Sequence, residues 1–477
     1  MRKSVRIICF FCIAFWTAHL AAQPLTSHDN RADYVIIAPA QFLSPARTLA
    51  SHRQSLDGLA AKVVLFDSVL EIFGKSTTPD SALREFIRFT LQQWQPPSSK
   101  YFVLLGNVNT IPSHREAEDL IPVAIAGYDS LSVDGWFVEP SSPQSDGVQA
   151  SAVVGRFPGW DSAAIATMVT KQIAYDAVED GEWMAESLGL ADHDTAAPGL
   201  FELGLRQMQS ILARDWNDTV CVHIDTASPQ HLSADEFRQH WNEGISIFVY
   251  SGHANPYTLS AARYFTLPSV DSLDNGVRLP VCFFGACNLR FDEQNPPTIS
   301  THLLDCQRGG AVACVVSTGE NYYSRITAFY TSLFEALAGD PPTTAGEAFR
   351  LAKNANTDPI IRRMSFLGDP AVRIKRSASV AALFPPKGLP NKDQLDQNYP
   401  NPFNPTTRIR YLIARDGMVN LAVYDMIGQK VAVLVDEKQA AGSHEANFEG
   451  RGLASGVYFC QLAVGNHRLA RAMILVK

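Results

Sequence analysis

Short apolar runs and amphipathic stretches alternate along most of the chain. Apolar, β-branched runs begin near Asp33, Lys62 and Lys100, and between the last two SALREFIRFTLQQW shows helical spacing of its apolar residues. Continuous apolar strands that alternate with amphipathic helices are typical of a parallel sheet with helices on both faces. The same alternation continues to about residue 375, so we predict an α/β fold for residues 33–375.

The pattern changes beyond this region. Residues 376–395 contain Ser, Ala, Pro, Lys and Gly without periodicity, which is typical of a linker. From residue 396 onward, short turn-separated strands such as TTRIRYLI, MVNLAVYDM and GVYFCQLAV are typical of an antiparallel β-sandwich. We therefore predict a linker at 376–395 and an all-β, immunoglobulin-like sandwich at 396–477.

The first 22 residues have the pattern of a secretory signal peptide. Basic residues open the chain, an apolar run extends from Ile7 to about Trp16, and the small residues Ala21 and Ala22 close the segment. A membrane anchor is the alternative, but the run is shorter than the roughly 20 apolar residues that a spanning helix needs. We predict a signal peptide at 1–22 and expect no transmembrane segment in the mature chain.

Composition narrows the classes of function. Of the 477 residues, 46% are hydrophobic and 18% are charged, which favours a globular chain with more than one domain. The net charge of −8 argues against nucleic-acid binding, because phosphate recognition needs a basic surface. Six cysteines remain after the signal without tight spacing, so we expect no disulfide framework. Their positions are Cys221, Cys282, Cys287, Cys306, Cys314 and Cys460.

Two strongly apolar strands end in side chains that can act together. ISIFVYSGHA leads to His253, and LPVCFFGACN leads to Cys287. Carboxyl ends of neighbouring parallel strands meet at one edge of a sheet, and the separation of 34 residues (287 minus 253) leaves room for the crossover. A thiol needs a neighbouring imidazole to take its proton before it becomes a nucleophile at neutral pH. We therefore predict a Cys287–His253 pair, with the backbone N–H groups of Cys287 and Ala254 as oxyanion donors.

Simpler interpretations of these residues remain open. A histidine at a strand end is often a satisfied polar residue, and a lone cysteine is often a small buried hydrophobe. No metal site is predicted, because His302 and Cys306, at i, i+4 spacing, have no matching second pair of ligands.

Several motifs resemble the gingipain family of cysteine peptidases, which have a caspase-like fold. They are WNEGISIFVYSGHA, RLPVCFFGACNLRFD, GGAVACVVSTGEN and MSFLGDPAVRI, and YVIIAPAQF, YFVLLGNVNTIP and VVGRFP are similar to the family's earlier strands. The resemblance implies two α/β subdomains, at 33–150 and at 151–375, the second of them catalytic. It also implies a secreted endopeptidase that cleaves peptide bonds through a thioester acyl-enzyme, with Cys287 as nucleophile and His253 as base.

The resemblance suggests further site residues. Asp194, in the segment WMAESLGLADHD, matches the family's acidic residue and would orient His253; a solvated loop carboxylate is the alternative. Glu202 matches the region of a carboxylate that would select a basic substrate residue, and Tyr322 and Tyr323 match an aromatic wall of the substrate pocket. No cofactor is expected to be required, and the sequence identifies no ligands for a structural calcium ion.

Two departures from the family motivate a second hypothesis. Ala254 follows His253 where the family usually has Gly, which would matter if that position required a positive φ. The stretch between Ala22 and Asp33 is short, whereas the family's peptidases carry a long prosegment. The alternative function is therefore a weakly active or inactive surface protein that serves as a binding or scaffold module.

The last part of the chain resembles a different family. LDQNYPNPFNPTTRIRYLI, YDMIGQKV, GSHEANFEG and LASGVYFCQL are similar to the C-terminal sorting domains of proteins exported by the type IX secretion system of Bacteroidota. A generic adhesive immunoglobulin-like domain is the alternative. The resemblance implies passage across the periplasm and outer membrane to the cell surface or beyond. The expected partners are the secretion machinery and protein or peptide substrates.

Overall fold

The structure is a computed structural model. It describes residues 24–476 apart from 76, 97–99, 108–133, 140–149, 195–197, 214, 217, 225–230, 293–296, 340–342, 357, 377–392, 396–397, 399–400, 402, 414, 416, 427, 440–441 and 466. The predicted signal peptide and most of the predicted linker lie outside the described residues. The chain forms two compact units, Met1–Val380 and Ala381–Lys477.

The first unit is an α/β structure. Its strands are β1 (Tyr34–Ala38), β2 (Ala61–Leu65), β3 (Tyr101–Leu105), β4 (Val153–Phe157), β5 (Glu186–Ala191), β6 (Asp218–His223), β7 (Ile247–Ser251), β8 (Ala254–Asn255), β9 (Thr258–Leu259), β10 (Phe265–Thr266), β11 (Val281–Gly285), β12 (Ala313–Ser317) and β13 (Met364–Leu367). Its helices are α1 (Leu43–Asp57), α2 (Phe66–Phe73), α3 (Pro79–Gln93), α4 (Ser162–Asp176), α5 (Leu200–Leu212), α6 (Ala234–Glu243), α7 (Leu267–Asp271), α8 (Ile299–Asp305), α9 (Tyr323–Leu337) and α10 (Ala345–Ala355).

Ten of these strands form one sheet in the order β2-β1-β3-β4-β13-β12-β11-β7-β5-β6. Pairing within β2-β1-β3-β4 and within β12-β11-β7-β5-β6 is parallel, as the sequence predicts. The two blocks meet at β13, which pairs with β4 in parallel at the single position Leu367↔Arg156 and with β12 antiparallel. The two blocks of parallel strands therefore run in opposite directions, which the apolar pattern does not reveal.

The central strands are apolar on both faces because helices cover both faces. In β1, Tyr34, Ile36 and Ala38 belong to one core cluster, and Val35 and Ile37 belong to another. All five side chains are fully buried. Burial on alternating faces explains why these strands appear in the sequence as continuous apolar runs.

A buried ion cluster joins α1 to the segment after β13. The Nε atom of Arg53 donates to Oδ2 of Asp369 at 2.7 Å, and both side chains are at most 1% exposed. The guanidinium also pairs with Asp57 at 2.9 Å and with Asp176 at 3.1 Å. Asp369 belongs to the Leu-Gly-Asp-Pro stretch, so the acidic residue of this motif links helix α1 to the segment that follows β13.

The second unit is all-β. Its strands are β14 (Gln394–Leu395), β15 (Thr406–Ile413), β16 (Gly417–Tyr424), β17 (Lys430–Gln439), β18 (Gly442–Glu449), β19 (Gly456–Val464) and β20 (His467–Leu475). They form two antiparallel sheets, β14-β15-β18 and β17-β16-β19-β20, whose buried apolar residues make one core cluster. Within the described parts of both units, no helix is both long enough and apolar enough to cross a membrane.

Candidate active site

His253 and Cys287 lie just beyond the carboxyl ends of adjacent parallel strands. β7 and β11 pair from Ile247↔Val281 to Ser251↔Gly285, and each candidate residue follows its strand by two positions. The N–H of Gly252 donates to the carbonyl oxygen of Gly285 at 3.2 Å, which extends the pairing beyond the strands. The structure therefore places both residues at the same edge of the sheet.

Asp194 approaches the imidazole from the next strand. β5 pairs in parallel with β7 as far as Ala191↔Ser251, so its end lies beside the end of β7. Oδ2 of Asp194 lies 3.4 Å from Nε2 of His253, with the Asp194 side chain 21% exposed and the His253 side chain 59% exposed. The structure brings these two predicted residues together, with the Nε2 side of the ring facing the carboxylate.

A second carboxylate, Asp192, lies beneath the backbone of His253. Its side chain is buried and accepts a hydrogen bond from the N–H of His253. Burial and the Asp192 carboxylate raise the pKa of Tyr250 well above its ordinary value, so the Tyr250 hydroxyl remains a proton donor. Asp192 was not predicted from the sequence as a contact of His253. The only sequence signal for it is an acidic residue directly after an apolar strand.

Gly252 is required by the close approach of two neighbouring side chains. A Cβ atom at this position would lie 2.3 Å from Cβ of Asp192 and 2.5 Å from the hydroxyl of Tyr250. Neither of these two atoms can move away easily, because the backbone fixes the Cβ atom of Asp192 and the Tyr250 side chain is fully buried. The small residue before His253 thus permits tight packing under the histidine.

The sulfur of Cys287 is held by the loop after β12. The backbone N–H of Asn321 donates to Sγ at 3.2 Å, and Sγ lies 3.5 Å from the carbonyl oxygen of Asn321. Asn288, directly after the cysteine, adopts φ 53° and donates its N–H to Gly319 at 3.0 Å. Asparagine tolerates this left-handed conformation better than most residues. Asn321 is a further residue that the sequence argument did not identify.

Aromatic side chains line the His253 side of the site. The ring of Phe201 packs edge-on against the imidazole with centroids 5.0 Å apart, and Tyr323 packs against Phe201 at 6.0 Å. Tyr323 lies close over Gly204, where a Cβ atom would come within 2.4 Å of its hydroxyl. Tyr322 follows Asn321 and is 70% exposed. The exposed Tyr322 ring is therefore attached to the segment that contacts the sulfur.

Glu202 lies on the first turn of α5, next to Phe201. Its Oε1 accepts hydrogen bonds from Nε of Arg206 at 2.9 Å and from Nη2 at 2.7 Å. The carboxylate is thus paired within its own helix, at i, i+4 spacing.

Ala254 opens β8 with a φ outside the left-handed region. A side chain at this position therefore causes no backbone strain, so the replacement of the family's usual Gly does not distort the loop.

Among the described residues, no group of three or more His, Cys, Asp or Glu side chains is arranged so that it could hold a metal ion. The absence of a required cofactor stays a prediction.

Comparison with solved structures shows the fold. The chain is similar to the complex of Porphyromonas gingivalis RgpB pro- and mature domains, with 15% identity, a TM-score of 0.58, and coverage of 93% of this chain and 100% of that chain. A crystal structure of the Arg-specific cysteine proteinase gingipain R matches with 15% identity, a TM-score of 0.58, and coverage of 93% and 98%. A structure described as a protease matches with 12% identity, a TM-score of 0.59, and coverage of 92% and 96%. The first unit thus has the caspase-like α/β fold of gingipains.

Comparison with protein families divides the chain into two parts. Residues 397–477 match the secretion system C-terminal sorting domain, which directs a protein through the type IX secretion system to the cell surface or the extracellular space. A search of the curated proteins finds no match. Residues 27–375, most of the chain, match the model of peptidase family C25. The chain therefore belongs to peptidase family C25, the gingipain family of cysteine peptidases.

Proposed function

We propose that the protein is a secreted cysteine endopeptidase in which Cys287 is the nucleophile, His253 the general base and Asp194 the residue that orients the imidazole. The observation that carries this proposal is the parallel pairing of β7 with β11, which ends at Ser251↔Gly285, two residues before His253 and Cys287. A sulfur and an imidazole at neighbouring strand ends can supply the nucleophile and the general base that thiol-dependent acyl transfer needs.

In the acylation step the two nitrogens of the His253 imidazole have different roles. Nε2 of His253 faces Asp194, so Nδ1 is the nitrogen that takes the proton of Cys287. The sulfur then attacks the carbonyl carbon of the scissile bond, and the oxygen becomes an oxyanion next to the backbone N–H groups of Cys287 and Ala254. His253 returns the proton to the leaving amine, the C–N bond breaks, and a thioester remains on Cys287.

Deacylation repeats the proton transfer with water. His253 removes a proton from a water molecule, whose oxygen attacks the thioester carbon. The C–S bond breaks, the sulfur is reprotonated, and the carboxylic acid product leaves. Neither half of this scheme uses a metal or a redox cofactor, because Cys287 carries the acyl group and His253 carries the proton in each step.

The substrate pocket is proposed to lie beside Tyr322 and Tyr323. Tyr322 is exposed and adjoins Asn321, whose backbone contacts the sulfur. Glu202 is the proposed carboxylate for a basic substrate residue. Because Arg206 already pairs with Glu202, a basic substrate side chain must compete with Arg206 for this carboxylate.

The remaining parts of the chain are proposed to serve export. A signal peptide at 1–22 takes the chain to the periplasm, and a linker at 376–395 separates the peptidase region from an immunoglobulin-like sandwich at 396–477. The two antiparallel sheets of the second unit and their shared core support a sandwich. Within the peptidase region, the single pairing position between β4 and β13 supports a division into two subdomains, with the proposed boundary at residue 150.

Alkylation of the sulfur tests the proposed pair. We expect iodoacetamide at pH 6 to modify Cys287 at least about tenfold faster than free cysteine, because a neighbouring imidazole favours the thiolate. Peptide mapping by mass spectrometry after timed quenching measures the rate at this residue. The same labelling should block cleavage of a quenched peptide library.

Two variants give this test its control. His253→Ala should bring the rate at Cys287 down to that of an ordinary thiol, whereas His302→Ala, which removes a histidine paired with Asp271 on α7, should leave it unchanged. If Cys287 is alkylated equally slowly in the wild type and in His253→Ala, His253 does not activate the Cys287 thiol. The non-catalytic surface module would then be the better assignment.

A further inference from the structure

We propose that Asp192 is a positioning residue for this reaction, because its buried carboxylate fixes the backbone of His253 and so aims the imidazole at Cys287. This inference rests on the proposed peptidase function. It concerns a different carboxylate from Asp194, which faces the ring itself.

Both oxygens of Asp192 contact polar groups close to the histidine. Oδ2 accepts the N–H of His253 at 3.1 Å and lies 3.5 Å from the hydroxyl of Tyr250. Oδ1 accepts the hydroxyl of Ser260 at 2.7 Å and the N–H of His193 at 2.8 Å. Asp192 is 8% exposed, so the three donors from His253, Ser260 and His193 take the place of water around a buried carboxylate. The single proton of the Tyr250 hydroxyl goes to the carbonyl oxygen of His253, 2.6 Å away.

The same neighbours hold the other side of the His253 peptide. The carbonyl oxygen of His253 accepts the hydroxyl of Tyr250 at 2.6 Å and the N–H of Ser260 at 2.8 Å. Tyr250 and Ser260 therefore each contact Asp192 and His253, so the carboxylate holds the N–H of the histidine directly and its C=O through these two residues. Such a network leaves the backbone of His253 little freedom to rotate.

Ser260 shows that this arrangement constrains the backbone. Its φ of 67° lies in the left-handed region, which a residue other than glycine adopts at a cost in free energy. Its hydroxyl nevertheless meets Asp192, and its N–H meets His253. A strained conformation that persists in a cluster of hydrogen bonds beside an active site is typical of a preorganised site.

Positioning matters because proton transfer depends on distance and direction. The imidazole is 59% exposed at its side chain, so few contacts on the ring restrain it besides Asp194 and Phe201. Its orientation then depends on the backbone from which it projects. A displacement of about 1 Å in a reacting group can cost about 10²-fold in rate.

The test compares Asp192→Asn and Asp192→Ala with wild type in the full chain. Cleavage of a quenched peptide gives kcat and KM, an iodoacetamide titration of Cys287 counts active sites, and thermal unfolding gives the folded fraction. We expect kcat per active site to fall about tenfold in Asp192→Asn, which keeps one acceptor oxygen, and about 100-fold in Asp192→Ala. KM should change by less than about twofold, because Asp192 does not touch substrate.

A control variant and the thermal unfolding measurement separate positioning from a general effect of losing a carboxylate or of lower stability. Asp271→Asn removes a carboxylate paired with His302 away from the site and should leave kcat unchanged. If Asp192→Ala matches wild type in kcat per active site, or if only the folded fraction falls, Asp192 has no positioning role. If wild type itself shows no thiol-dependent cleavage, the proposed function fails first and the role of Asp192 fails with it.

Discussion

Cys287→Ala is expected to lower kcat/KM for peptide cleavage by at least about 10⁴-fold, because it removes the sulfur that forms the proposed thioester. The Sγ atom of Cys287 is only partly buried and meets the N–H of Asn321 at 3.2 Å, so its removal creates no large cavity. Thermal unfolding should therefore hardly change. The measurement is a quenched-peptide assay on purified full-length chain, at equal folded concentration.

Cys282→Ala is the matched control for this variant. Cys282 lies on β11, the strand that leads to Cys287, and burial raises the pKa of its thiol well above the ordinary value. A buried protonated thiol is unreactive, so cleavage per folded molecule should stay at the wild-type level. Residual thiol-dependent cleavage in Cys287→Ala, or its loss in Cys282→Ala, would contradict the assignment of the nucleophile.

The apolar pattern predicts the strands well because the sheet is covered on both faces. The continuous runs before His253 and Cys287 are β7 and β11, and each is fully buried along its length. Burial on both faces demands apolar residues at every position, so such strands are visible in the sequence. Their parallel pairing then places the two reactive side chains at one edge.

Strand direction at the junction is not visible in the sequence. β13 is a buried strand of four residues, and burial along its whole length gives no indication of its direction. β13 pairs antiparallel with β12, and the segment after it contacts α1 through Arg53 and Asp369, which are separated by 316 positions in the chain. Long-range polar pairs of this kind leave no periodic signal.

The hydrogen bonds around His253 and Cys287 could not be predicted from the sequence for a similar reason. Asp192 and Asn321 act through backbone hydrogen bonds to His253 and to the sulfur of Cys287. A sequence motif identifies a side chain by its chemistry, whereas these contacts depend on how loops from β5 and β12 approach the ends of β7 and β11. They can be found only once the strand order is known.

Asp369→Ala is expected to destabilise the first unit by about 3 kcal/mol, the low end of the range for a broken buried ion pair, because the Arg53 guanidinium loses its shortest partner but keeps Asp57 and Asp176. Arg53 and Asp369 are 1% and 0% exposed and their Nε–Oδ2 distance is 2.7 Å. The variant also removes the acceptor for the N–H of Ala371, which Oδ1 meets at 2.9 Å. Urea-induced unfolding followed by circular dichroism gives the change in free energy.

The exposed pair of Arg308 with Asp274 distinguishes burial from ion pairing as the source of this effect. Its N–O distance of 2.8 Å is nearly the same, but the side chains are 65% and 58% exposed. Water and salt screen such a pair and solvate either partner when the other is removed, so Asp274→Ala should leave the unfolding midpoint in place. Equal losses in the two variants would mean that the Arg53–Asp369 contact does not hold the two blocks of the sheet together. A loss confined to Asp369→Ala would assign the Leu-Gly-Asp-Pro stretch a structural role at the β13 junction, separate from the chemistry at Cys287.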